Sequence, residues 1–302
     1  MSLTYIGQQI TIYGTLCYLV TGIVGNTINV YIFSTTRSYR TNPSTFYFLI
    51  NSILNLVYLL IHPTSRIAIG VGNDLTQTST SWCKARNYVL FTFPGIVLTC
   101  PCLAMIDQFI ATSRNAKLRS FSNIQLARRL MVIMCFLWAL HGVPAILFYD
   151  ISPATRICQI TNSTFLKYRS IYLLGLTYAI PVSVTILFGY LTYRNIHSIR
   201  ALVNQHIDRQ ILRMTIFQAV LVNVCLLPYA AIVTYNNITE NEMKDTSRVL
   251  LENFLASLFV LWNYGYIVGN CYVFILSSKK FRQAVKSKVL RWRRPNQVSI
   301  TA

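Results

Sequence analysis

Acidic side chains are scarce in this chain: eight aspartates and glutamates stand against 27 lysines and arginines in 302 residues. Seven stretches lack all four charged residue types: Met1 to Thr36, Thr41 to Ser65, Asn87 to Ile106, Leu130 to Tyr149, Ser170 to Tyr193, Met214 to Thr239 and Asn253 to Ser278. A spanning helix needs about 20 mostly apolar residues, since each advances about 1.5 Å through roughly 30 Å of hydrocarbon. Each stretch meets that length, so the fold class is an all-α membrane protein, a seven-transmembrane helix bundle. The absence of paired catalytic groups disfavours an intramembrane enzyme. A transporter or channel is the runner-up function, but such proteins place ionisable residues or broken helices at midplane. Here only His62 and His141 titrate near neutrality within the runs, both toward one end.

Repeats, low-complexity tracts and long linkers are also missing, which leaves one domain over 1–302. Its spans are expected near 10–33, 44–65, 84–112, 129–149, 170–193, 211–235 and 251–276. The segment before Ile10 lacks the cationic start of a cleavable signal and is read as part of an uncleaved anchor. No metal or cofactor site is implied.

What charge there is has a direction. Nineteen basic residues follow spans one, three, five and seven, with Asp107 and Asp208 beside them; eight lie on the other side, with Asp74, Asp150, Glu240, Glu242, Asp245 and Glu252. Lys and Arg gather in cytoplasmic loops, so the N-terminus is expected outside and the C-terminus inside, in the plasma membrane. The basic surplus is then a cytoplasmic membrane face rather than a nucleic-acid surface. Only Cys83 and Cys158 fall outside the apolar runs, both on the expected outer side, where a disulfide persists. The glycosylation sequons Asn162-Ser163-Thr164 and Asn237-Ile238-Thr239 fall on that side too. Phe281, Val285, Val289 and Trp292 recur at helical spacing among cations, as in a helix lying on the inner leaflet over about 279–292.

The motifs, spread over six of the seven helices, resemble the rhodopsin-like (class A) G-protein-coupled receptor family over nearly the whole chain, as a divergent member. They are Gly25-Asn26, Cys83, Asp107-Gln108-Phe109, Trp138, Pro181, Cys225-Leu226-Leu227-Pro228 and Asn270-Cys271-Tyr272-Val273-Phe274, followed by Lys279-Lys280-Phe281-Arg282. The resemblance implies a Cys83–Cys158 disulfide, an extracellular ligand, a peptide or a small molecule, and a heterotrimeric G protein as partner. It also implies an activation switch through Asp107, Gln108, Phe109, Asp208, Cys225, Pro228, Asn270 and Phe274. Two departures fall on that machinery. Gln108 stands where the family has arginine, so its expected tie to Asp208 is at best a hydrogen bond worth about 0.5–3 kcal/mol, and G-protein coupling is expected to be weak or altered. Asn55 replaces the family's sodium-binding aspartate, so Asn26, Asn55 and Asn270 are expected to form an uncharged polar core.

Leu90 and Tyr264 stand where aminergic receptors and opsins carry an aspartate and a lysine, which disfavours both subclasses. The candidate ligand residues are Arg66, Arg86, Asn87, Phe91, Tyr229, Trp262, Asn263 and Tyr264, with the two arginines suited to a carboxylate. The alternative for both arginines is to snorkel to the interface.

Overall fold

Capping residues set where the long helices begin. The computed structural model describes residues 3–198, 209–239 and 242–293. Span one is Leu3–Thr35. Asn42 accepts from the backbone amides of Ser44 and Thr45, and Pro43 occupies the first helical position of span two, Pro43–Gly70. Ser79 caps span three, Thr80–Ala111, and Asn123 caps span four, Ile124–Phe148. Asn162 caps span five, Ser163–His197. Span six is Arg209–Ile238, and span seven is a pair of helices, Thr246–Val268 and Asn270–Ser277, bent by 51°. A surface helix, Lys279–Arg293, follows. Among the described residues the apolar helices therefore number seven when the bent pair counts as one span.

The helices outrun the charge-free stretches. Span two carries Arg66 and span three carries Lys84 and Arg86 within their terminal turns. Long basic side chains allow this, because the stem packs on apolar surface while the head reaches polar surroundings. We call the end that carries Cys83 and Cys158 the disulfide end, and the opposite one the basic end.

Most of the span prolines leave their helices unbroken. Pro63, Pro94, Pro101, Pro144 and Pro228 lie inside continuous helices. Pro181 follows a π-helical segment, Tyr172–Ala179. A proline ring clashes with the carbonyl four residues back, here that of Thr177, and a wider turn at that point moves the carbonyl aside. The sharpest break falls instead at Gly269, in the middle of span seven.

Span three sits deepest and span four is the most peripheral. Between spans four and five, strand β1 (Tyr149–Ile151) pairs antiparallel with β2 (Cys158–Ile160), and the turn joining them places Arg156 at φ 55°. The Cys83–Cys158 disulfide, with Cα atoms 5.8 Å apart, pins β2 to the first turn of span three. The hairpin thereby covers the disulfide end of the bundle.

Candidate functional site

A cavity of about 270 Å³ opens at the disulfide end, walled by spans two, three, five, six and seven. Six of the eight sequence candidates line it: Arg66, Asn87, Phe91, Tyr229, Asn263 and Tyr264. Asn87 also fixes the lid, since its Nδ2 donates to the Cys83 carbonyl at 2.8 Å and to Cys158 Sγ at 3.1 Å. Phe91 stacks on Tyr172 at 4.2 Å, and the Tyr172 hydroxyl donates to the Phe91 carbonyl at 2.6 Å. His141 packs against both rings of this stack, with centroids 5.7 Å from Phe91 and 4.9 Å from Tyr172, and its Nε2 lies 2.5 Å from the Tyr168 hydroxyl. Spans three, four and five are thus tied behind the cavity wall.

Two candidates lie elsewhere. Trp262 does not reach the cavity: its Nε1 donates to the Val224 carbonyl at 3.0 Å along the seam of spans six and seven, and the side chain is half exposed. Arg86 lines a neighbouring cleft of about 520 Å³ between spans one, two and seven, and Arg66 lines both spaces. Residues that the sequence did not single out for a ligand complete the central cavity, chiefly Tyr58, His62, Arg169, Tyr172, Tyr178 and Tyr266.

The electrostatics of these two spaces are one-sided. Among the described residues no Asp or Glu lines either of them. Among the described residues the ion pairs are Lys84–Asp150, Lys244–Glu252, Arg248–Glu242 and Arg248–Glu252, so none includes Arg66, Arg86 or Arg169. Arg86 Nε is buried without a hydrogen-bond partner, as are His62 Nδ1 and Asn263 Oδ1 on the cavity wall. A buried polar atom without a partner is costly, and a ligand that supplies the missing partner recovers that cost on binding. No metal-holding group of His, Cys, Asp or Glu is present among the described residues.

Midway along the bundle, Asn55 Nδ2 donates to Asn26 Oδ1 at 3.2 Å, and both amides donate to the Ile267 carbonyl, at 3.3 and 3.1 Å. Spans one, two and seven are joined there through neutral groups only. Asn270 does not join them: no hydrogen bond links it to Asn26 or Asn55, and its buried Oδ1 has no partner. The 51° bend lies just ahead of Asn270, so the carbonyl of Ile267 takes the place in the network expected for that side chain. Asn223 Nδ2 donates to Thr185 Oγ1 at 3.0 Å, across spans five and six. Cys225 packs where span seven comes close to span six, since a Cβ added at Gly265 would lie 2.9 Å from its Sγ.

At the basic end Asp107 and Gln108 are bonded to one serine of span two. Ser44 Oγ donates to Asp107 at 2.6 Å and accepts from Gln108 Nε2 at 2.7 Å. Ser122, in the loop after span three, donates to the other Asp107 oxygen at 2.7 Å. Gln108 is therefore bonded to the start of span two; Asp208 lies outside the described residues. Phe109 packs edge-on against Phe188 of span five at 5.4 Å. Phe274 is fully buried among Phe33, Phe48 and Phe281, which docks the surface helix on spans one, two and seven. Val289 and Trp292 of the expected apolar stripe have side chains outside the described ones.

Both sequons are placed on helices. Asn162 uses its Oδ1 to cap span five, accepting from Phe165 N at 2.9 Å, and Asn237 is exposed in the last turn of span six. Among known families, the model described as 7 transmembrane receptor (rhodopsin family) matches residues 25–264.

Proposed function

The chain belongs to the rhodopsin family of seven-transmembrane receptors, and from that premise we propose that it is a plasma-membrane receptor for an acidic extracellular ligand, coupled to heterotrimeric G proteins. The N-terminus and the disulfide end face outside; the basic end and the surface helix face the cytoplasm, where Lys and Arg concentrate. The observation that carries the ligand reading is Arg66, a cation shared by two cavities whose described lining holds no carboxylate. A guanidinium in a partly desolvated site pairs well with a carboxylate, and the second guanidinium, Arg86, lies beside the same cleft.

Ligand binding shifts a population rather than creating a new state. The ligand contacts spans two, three, five, six and seven at once, so it favours whichever arrangement of those helices fits it better. Span six is the moving part, hinged near Pro228, and its inner end carries the change to the cytoplasmic loops with Asn270 and Phe274 as neighbours on span seven. Gln108, bonded to Ser44 rather than held in an ion pair, supports a resting state fastened by hydrogen bonds alone. Coupling is accordingly weaker than in relatives that carry arginine at this position.

The test is a screen of acidic and neutral compounds against cells expressing the chain with a promiscuous G-protein reporter. Acid-selective signalling that disappears in Arg66→Ala and Arg86→Ala is the expected result. Signalling to neutral ligands that is untouched by both substitutions would overturn the ligand reading, and a surface-expressed chain that drives no G protein in any condition would overturn the coupling. Replacing Gln108 with arginine is expected to raise basal signalling.

A further inference from the structure

Resting on the reading of Arg66 and Arg86 above, we propose that the ligand is a compact aromatic acid with a hydroxyl at its far end. Its carboxylate lies at Arg66 where the two cavities meet, its ring fills the central cavity, and its hydroxyl donates to Asn263.

Size, shape and polarity each narrow the class. The central cavity, about 270 Å³, holds the volume of roughly nine waters at about 30 Å³ each, which suits a body of about ten non-hydrogen atoms. Eight of its lining side chains are tyrosine or phenylalanine, including Tyr58, Phe91, Tyr178 and Tyr229, so the walls offer ring faces and edges to a flat guest. His62 sits between Tyr58 and Tyr264, with ring centroids 5.3 and 5.6 Å away, and contributes another flat surface. Asn263 Oδ1 is an acceptor without a partner, so the ligand must bring a donor to satisfy it.

Charge excludes the amine counterpart of such a molecule. An ammonium would enter beside Arg66 and Arg169 with no carboxylate among the described lining residues to pair with it. Like charges a few ångströms apart in a low-dielectric site repel strongly. The acid also gains on the cleft side, where the buried Nε of Arg86 awaits an acceptor. The same chemistry can arrive as a free acid or as the C-terminal tyrosine of a peptide, and the experiment separates the two.

The purified full-length protein in lipid nanodiscs is titrated with 4-hydroxyphenylacetate, phenylacetate, methyl 4-hydroxyphenylacetate and tyramine, followed by thermal shift and ligand-observed NMR. The hydroxy acid is expected to bind at least about tenfold more tightly than its ester or tyramine. Arg66→Ala should remove most of that affinity and Arg66→Lys should restore part of it. Asn263→Ala should abolish the preference for the hydroxylated acid over phenylacetate, a ratio of two affinities that misfolding cannot mimic. Tyramine binding as well as the acid, an acid indifferent to Arg66→Ala, or no binding by any acid would each overturn the proposal. A tetrapeptide ending in tyrosine, tight with a free carboxylate and weak when amidated, would identify the peptide as the source; a tetrapeptide weaker than the free acid would identify the free acid. No G protein is present, so a protein that binds the acid but never signals refutes only the coupling, and one that signals to other acids but binds none of these aromatic acids refutes only this inference.

Discussion

Gln210, in the first turn of span six, accepts a hydrogen bond from the backbone amide of Lys280 at 2.6 Å through the same Oε1 that accepts from Ser278 Oγ at 2.9 Å. Ser278 in turn accepts from the amide of Phe281 at 3.1 Å, so the first turn of the surface helix is capped and fastened to span six in one motif. Orphan amides at a helix start need such partners, and here the partner comes from a different helix. Any outward displacement of span six at this end has to break both bonds to Gln210.

Removing the Gln210 acceptor should therefore favour the displaced state. If the two bonds are worth about 1 kcal/mol net in the resting arrangement, Gln210→Ala shifts the two-state population about fivefold toward activity. Ligand-independent signalling at matched surface expression measures this, and a basal level equal to the parent would contradict it. Gln210→Glu keeps the acceptor and should stay near the parent level.

Ser44 offers a second test at the same end. Ser44→Ala leaves one oxygen of Asp107 and the Gln108 amide each without a partner, in side chains that are almost completely buried. Such losses cost about 1–3 kcal/mol, which should lower the melting temperature of the detergent-solubilised protein by several degrees. Ser44→Thr retains the hydroxyl and should recover most of that loss. If Ala and Thr melt alike, the bridge contributes nothing.

The sequence discloses the number of spans because hydrocarbon tolerates no isolated charge, which leaves a gap pattern that can be read directly. Rotational phase is harder to read, because lipid-facing and core-facing positions are both apolar. Trp262 and Tyr264 show the difficulty: at about 100° per residue they point to nearly opposite faces, and only the packed bundle reveals that Tyr264 faces the cavity while Trp262 runs along the seam with span six. The Asn26–Asn55 contact was legible, since amides buried in a membrane bundle seek each other. Asn270 was misplaced because the break at Gly269 carries no proline signal. The cavity tyrosines and the π-helical segment left no mark that distinguishes them from ordinary span residues.

The neutral core itself predicts a stability effect. Asn55→Ala removes two hydrogen bonds that hold span two to spans one and seven, and leaves Asn26 Oδ1 without this donor. A loss of about 1–3 kcal/mol is expected, seen as a lower melting temperature with the bundle still assembled. Sodium should not stabilise the parent protein against melting, since the site offers amides and a carbonyl but no carboxylate. A clear sodium-dependent rise would count against this account of the core.

Span four, the most peripheral helix, packs on span three through close approaches at glycine, at Gly142 against Thr92 and at Gly95 against Trp138. A Cβ built at Gly95 would lie 2.4 Å from the Trp138 ring, whose Nε1 donates to Thr99 Oγ1 at 3.0 Å. The indole cannot yield as a flexible chain end would, because its other neighbours are the His141 and Tyr172 rings behind the ligand cavity. Gly95→Ala should therefore push span four outward at an overpacking cost of about 1–3 kcal/mol, and break the Trp138–Thr99 bond. Both surface yield and ligand affinity should fall, because the displaced rings support Phe91 on the cavity wall. Gly175 provides the control: a Cβ there meets nothing within 4 Å, so Gly175→Ala should leave yield and affinity unchanged. Equal behaviour of the two variants would show that loss of glycine alone, and not the contact with Trp138, sets the effect.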